Sequence, residues 1–388
     1  MKGKLKMLVG IYSASLVLMA LIVPVSVLAD IAKTFTDVPI TTIQLIVTLP
    51  SLVAIFSGLL VSKTAHIFYK KHVAIFFTVL YMVSGMMPVF FHDNIYQLLI
   101  SAALVGVSMG GLQNPMTSII PDYFEGEKRG TVLGLLSTFI CLGGMLYTQL
   151  ASRLGAKDWT HAFYAYGVIG IFLLGEIFFM PKGKLEAKAE KGKHTKVPKE
   201  VIWCCVLGFI LYTCYQVFNS NISMLIEERG LGGTIEAGYA SAACTGAGIL
   251  AGLIVGPWIR GFKKQAISLT LVTTCVGLLI CVFSHNLILM CVGGFITALG
   301  YQIFTPLTGM KAAEVSGPVG LAFNMALGNA MCSMGQALSP YTTSFITKPW
   351  NSSLTSLFIL GTVGCAIIAV VGLFHYHKAG TVPAKEGN

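Results

Sequence analysis

Apolar residues run in long, nearly unbroken stretches along this chain, with neither the period-2 alternation of half-buried strands nor the narrow stripe of a surface helix. Twelve such stretches stand out, at 7–29, 40–61, 73–91, 95–121, 130–152, 162–180, 201–223, 236–258, 266–284, 287–310, 319–345 and 354–374. Each is close to the roughly 20 residues that carry a helix across a hydrocarbon core about 30 Å thick. Lipid offers the backbone no hydrogen-bonding partner, so the spans are expected to be helices. The fold class predicted is an all-α membrane protein of about twelve transmembrane helices in two pseudo-symmetric six-helix bundles.

The polar positions between the stretches set topology. With the N-terminus in the cytoplasm and spans alternating, only Lys33, Arg153, Lys157, Arg229 and Lys348 of the 26 Lys and Arg fall outside. That bias predicts both termini inside a plasma (inner) membrane. The stretch Met7–Ala29 follows Lys2, Lys4 and Lys6 and exceeds a signal-peptide core of about 7 to 15 residues, so an uncleaved first helix is expected. Pro181 to Glu200 breaks the apolar pattern with seven lysines and interspersed glutamates, as a solvated linker would. The expected organisation is a first bundle at 1–180, a basic linker at 181–200, a second bundle at 201–378 and a cytoplasmic tail at 379–388.

Composition agrees: 55% of residues are hydrophobic and 11% charged, against 45–50% apolar in soluble domains. A net charge of +10 could suggest nucleic acid, but the basic residues sit in short gaps and form no aromatic-interleaved patch. No nucleic-acid partner, cofactor or metal is expected. The ten cysteines all fall within spans without a CxxC pair, as small buried hydrophobes do. Neither a P-loop nor a dinucleotide fingerprint is present. Gly106-Val107-Ser108-Met109-Gly110 matches the serine-hydrolase pattern G-x-S-x-G, but it lies inside a helix with no histidine base in reach. Helix packing accounts for it, and no enzymatic activity is expected.

The two halves echo each other. The fourth span has Gly111-Leu112-Gln113 and then Pro115-Met116-Thr117; the tenth has Gly300-Tyr301-Gln302 and then Pro306-Leu307-Thr308. The offset is close to half of the 388 residues, as duplication of a six-helix unit requires. Ser62-Lys63-Thr64-Ala65-His66-Ile67-Phe68-Tyr69-Lys70-Lys71 resembles the loop motif G-x-L-A-D-R-x-G-R-K of the major facilitator superfamily. Gly256 to Lys264 is its counterpart in the second half, with Arg260 in the acid's place and Lys263 in the basic tail. Pro121 to Gly130, with Asp122, Arg129 and Gly130, is similar to the loop that follows the family's fourth helix.

The resemblance implies two six-helix bundles that rock about a cavity lined mainly by the first, fourth, seventh and tenth helices. It implies further that Lys70, Lys71, Asp122, Arg129, Arg260 and Lys263 belong to the cytoplasmic gate and loops. In the resembled family one chain usually carries a complete pathway, so a functional monomer is expected. Ala102 replaces the family's arginine on the fourth helix, and Gly143 to Tyr147 lacks the proline of the drug–proton antiporters. These departures weigh against standard proton antiport.

Ionisable groups cost at least about 2.5–3.5 kcal/mol at a helix centre, so any that occur there point to function. Span centres here are empty of them; Asp30 and Glu176, near span ends, are the coupling candidates, with a proton as candidate co-substrate. A lining without Lys or Arg disfavours strongly anionic solutes. The neutral groups left on the cavity helices are Ser26; Gln113 and Asn114; Tyr212, Tyr215, Gln216 and Asn219; and Tyr301, Gln302 and Thr305. Asn324 and Asn329 are assigned to packing, and small-residue stripes at Gly130-Gly134-Thr138 and Gly248-Gly252-Gly256 to close helix contacts. The function expected is alternating-access transport of a small neutral or amphipathic organic solute across the lipid bilayer. The alternatives are proton-coupled multidrug efflux and a solute sensor without flux.

Overall fold

The computed structural model describes residues 2–64, 67–124, 126–183, 185, 197–315, 321–347 and 354–379. Among them every regular element is a helix. The helices are α1 (Lys6–Thr34), α2 (Ile40–Thr64), α3 (Lys70–Phe90), α4 (Ile95–Ser118), α5 (Gly126–Leu154) and α6 (Trp159–Phe179), then α7 (Lys199–Glu228), α8 (Thr234–Phe262), α9 (Ala266–Phe283), α10 (Leu287–Val315), α11 (Leu321–Thr347) and α12 (Leu354–Ala379). Eleven are long and apolar enough to cross a membrane; α11 is long enough but more polar, because Asn324, Asn329 and Gln336 interrupt its apolar run.

Two helices are not α throughout. α1 tightens to 3₁₀ over Leu18–Val27 around Pro24, and α6 is 3₁₀ over Trp159–Val168 before turning α at Ile169. Pro24 removes a backbone donor. The Tyr81 hydroxyl from α3 donates to the Leu18 carbonyl at 3.3 Å.

Contacts divide the chain into two compact units. The first comprises Met1–Lys188 together with Ile222–Thr245, the second Ala189–Asn221 together with Gly246–Asn388. In the first unit small residues let backbones meet: a Cβ on Gly106 or Gly110 would collide with the carbonyls of Pro50 and Ala54 on α2. Ser108 between them is buried and donates to the Leu104 carbonyl at 2.8 Å, so the G-x-S-x-G stretch is a packing seam. Gly143 of α5 abuts Leu16, and Gly10 of α1 abuts Phe179 and Met180. In the second unit Gly277, Gly293 and Gly300 bring α9 against α10 in the same way.

The stripe on α8 behaves differently. Among the described residues, a Cβ on Gly252 or Gly256 would meet nothing within 4 Å, so these two glycines make no close helix contact there, contrary to expectation. The side chains at 130 and 134 lie outside the described residues. The ten cysteines form no disulfide; seven are buried, and Cys275, Cys291 and Cys332 are half-buried.

Candidate functional site

The second unit holds an aromatic and hydroxyl cluster on α7, α10 and α11. Two tyrosines one helical turn apart on α7 face α10: Tyr215 stacks on Tyr301 with ring centroids 3.9 Å apart and planes 13° from parallel, while Tyr212 lies 4.5 Å from the same ring. The Tyr212 and Thr305 hydroxyls share a 2.6 Å hydrogen bond, and Gln336 Nε2 donates to the Tyr301 hydroxyl at 3.3 Å. Gln216, 2% exposed, donates to Ser220 at 2.8 Å within α7. Gly335 of α11 abuts the Phe209 carbonyl of α7, and the Ser339 hydroxyl donates to the Thr213 carbonyl at 2.8 Å. This close approach fixes where Gln336 stands.

Toward the Lys199 end of α7, the same three helices enclose a cavity of about 440 Å³. Thr305 joins cavity and cluster, since it lines the one and bonds Tyr212 in the other. The walls carry Cys204, Cys205, Cys332, Met310 and Met325 as sulfur-bearing side chains, with the amides of Asn324 and Asn329. The lining contains no charged residue among those described. Just beyond it on α10, Lys311 pairs with Glu314 at 3.2 Å, so that charge is satisfied within its own helix. The volume lies in the range of small-molecule pockets, about 300–1,000 Å³.

Of the residues predicted from sequence, Tyr212, Tyr215, Tyr301 and Thr305 are brought together, and Gln216 lies one turn along α7. Asn219 and Gln302 are half-buried in the same unit and outside the cavity lining. Gln113 and Ser26 belong to the first unit, where Gln113 is exposed and Ser26 is buried with its hydroxyl unpartnered among the described residues. The Asn114 side chain lies outside the described residues. Asn329, assigned to packing from sequence, is exposed and lines the cavity. The signal available was helical spacing: Met325 stands about one turn before Asn329 and Cys332 about one turn after it, and all three face the same space.

The coupling candidates sit in the first unit. Glu176 is fully buried on α6, and its only partner among the described residues is the Thr78 hydroxyl, 2.9 and 3.0 Å from its two oxygens. Asp30, in the last turn of α1, accepts from the Thr234 hydroxyl at 2.6 Å and from Lys33 at 3.1 Å. Lys33 also pairs with Glu227, and Trp159 Nε1 donates to Thr34 at 3.0 Å. Asp30 is thus a junction between the end of α1 and the α7–α8 turn. Asp158, the residue before Trp159, caps α6: one oxygen accepts from the Thr160 amide at 2.9 Å and its hydroxyl at 2.7 Å. Those two bonds hold the Asp158 carboxyl below the usual carboxylate range.

The expected gate residues are similarly distributed. Lys70 is buried and pairs with Asp122 at 3.0 Å while donating to the Ser118 carbonyl at 2.7 Å, at the negative end of the α4 dipole. Lys71 donates to the Ile177 carbonyl at 2.7 Å near the end of α6. Gly183, at φ +72°, lies against the Lys70 stem, and its amide donates to the Tyr123 hydroxyl at 3.3 Å. Arg260 and Lys263 are exposed, Lys263 at φ +38°, and the Arg129 side chain lies outside the described residues.

Among the described residues, twelve long helices, eleven of them apolar enough to cross a membrane, define a multi-pass membrane protein. The model of the Major Facilitator Superfamily matches residues 8–262 and 235–387, and the chain belongs to that family. Membership of that family points to a transporter. The MFS-type transporter hasB of Aspergillus fumigatus is 26% identical over 195 residues, which are 46% of this chain and 43% of that protein. The match thus spans less than half the length of this curated relative. Among solved structures, the nucleoside transporter NupG aligns with a TM-score of 0.79 at 10% identity, over 95% of this chain and 99% of that one. The peptide transporter POT aligns at 0.76 and 12%, covering 98% and 95%. A bacterial homologue of the human lysosomal transporter Spinster aligns at 0.72 and 14%, covering 97% and 98%. At such identities these likenesses establish the shared fold.

Proposed function

We propose that the protein moves a small neutral or amphipathic organic solute across a plasma (inner) membrane by alternating access, as a monomer with both termini cytoplasmic. The halves 1–180 and 201–378 would be the moving bodies. The observation that carries this reading is the uncharged lining of the second unit's cavity, continuous through Thr305 with the Tyr212–Tyr215–Tyr301 cluster. A carboxylate or ammonium solute would lose its hydration there without gaining a counter-ion. A neutral solute finds aromatic faces and amides. Of the solved structures named above, one is described as a nucleoside transporter and one as a peptide transporter, and this chain's solute is read from its own lining instead.

The test is solute-library uptake into proteoliposomes, with and without an imposed proton gradient. Accumulation of neutral solutes, reduced by Tyr301→Leu, supports the proposal; accumulation restricted to organic anions overturns it. A second reading, proton-coupled export of drug-like compounds, is favoured by Glu176, a carboxyl buried in the bundle with a single hydroxyl partner among the described residues. Flux accelerated by the gradient in wild type and independent of it in Glu176→Gln would select that reading.

A further inference from the structure

The cavity lining is richer in sulfur than in any other polar element: three thiols, Cys204, Cys205 and Cys332, and two thioethers, Met310 and Met325, face one space. Sulfur is polarisable and makes favourable contacts with aromatic rings, about 0.3–1.5 kcal/mol each. The relief of the walls is low where α10 and α11 oppose each other, because Pro306, Gly309 and Gly328 carry little or no side chain. A Cβ on Gly328 would meet nothing within 4 Å, so open space lies beside it. Polarisable sulfur-bearing walls favour the face of an aromatic ring.

Hydrogen-bonding chemistry in the lining is equally specific. The Thr308 hydroxyl directs its proton at the Phe304 and Thr305 carbonyls, at 3.1 and 3.0 Å, and turns only lone pairs outward. Asn329 is exposed and carries both an amide donor and an amide acceptor. Together they match a ligand edge that donates and accepts side by side, as a carboxamide does. No described residue of the lining offers a formal charge to pair with an ionised edge. We propose that this cavity binds uncharged aromatic and heteroaromatic carboxamides, the ring against the sulfur-bearing walls and the amide against Asn329 and Thr308. The proposal rests on the transport reading above and narrows its solute class.

The test uses the full-length protein in nanodiscs and follows N-ethylmaleimide labelling of each cysteine by peptide mass spectrometry. Cys332 is the reporter, and the fully buried Cys281, outside the cavity, is the internal control. Benzamide, benzoate and benzylamine are compared as protectants of similar size and different charge. Benzamide is expected to slow Cys332 labelling while benzoate and benzylamine leave it unchanged. Asn329→Leu is expected to raise the benzamide concentration for half protection about tenfold, the loss of one or two amide hydrogen bonds. Gly328→Leu fills the open space with a good helix former and is expected to abolish protection. Equal protection by benzoate, or protection that survives Gly328→Leu, would each overturn the proposal. If benzamide protects but no solute in the library is transported, the transport reading fails and the binding site stands. If solutes are transported and benzamide gives no protection, the site assignment alone fails.

Discussion

The two units differ in where they place their polar groups. The first buries ionisable side chains against specific partners: Lys70 against Asp122 and the Ser118 carbonyl, Glu176 against Thr78. The second surrounds its cavity with neutral amides, hydroxyls, thiols and thioethers; it too buries a lysine, Lys311 against Glu314, but that pair and the His375–Glu200 contact lie outside the lining. Burying a charge is costly unless it is paired, so charges in the first unit constrain geometry. A neutral lining has little desolvation penalty to offset and can admit and release a solute. The first unit's buried charges are thus expected to matter most for stability and the second unit's neutral lining for solute exchange.

This contrast is sharpest when a partner is removed. Lys70→Ala would leave Asp122 partly buried without a counter-charge, and a loss of about 3–5 kcal/mol is expected. Thermal unfolding in detergent should show it, with partial recovery in the Lys70→Ala/Asp122→Ala double variant. Tyr301→Leu, in the second unit, removes the ring between Tyr212 and Tyr215. Solute KM in proteoliposomes is expected to rise about tenfold, equivalent to about 1.4 kcal/mol, with the unfolding temperature moved far less. A large loss of stability with unchanged KM would reverse the roles assigned to the two units.

Smaller effects refine the picture. Asp158→Ala removes the cap on α6 and is expected to cost about 1 kcal/mol at neutral pH. Because the folded carboxyl titrates below its unfolded value, its contribution is complete above the unfolded pKa of about 3.9 and disappears as pH falls through the folded value. Wild type and variant should then converge in acid, as pH-dependent unfolding would record. Glu176→Gln, finally, keeps an acceptor for Thr78 in a side chain of the same shape, and a change within about 0.5 kcal/mol is expected. Unfolding of the variant at wild-type temperature would show that the bond matters here and the charge does not.

Much of the fold was legible because a membrane imposes a simple rule on sequence: the apolar stretches and the helices coincide to within a few residues, as for 95–121 against Ile95–Ser118. The tyrosine cluster was legible in part, since Tyr212 and Tyr215 lie on one face of a helix that the family resemblance places at the cavity. Asn329 and the sulfur-bearing walls were not. Which face of α11 turns toward α7 is decided by the Gly335–Phe209 approach, a contact between residues far apart in sequence. The paired glutamines show the converse: a similar local motif leaves Gln113 exposed and Gln302 half-buried, so likeness of two segments does not give them a common environment. The 3₁₀ stretches carry no compositional mark beyond Pro24.

That tightened stretch of α1 has a mechanical meaning. Ten residues, Leu18–Val27, in a 3₁₀ helix at about 2.0 Å per residue occupy about 20 Å, whereas the α form needs about 15 Å. Rewinding this stretch would retract Asp30 by about 5 Å along the helix axis and pull on its hydrogen bond to Thr234. The helical pitch of the first span thus sets where Asp30 meets Thr234 along the helix axis.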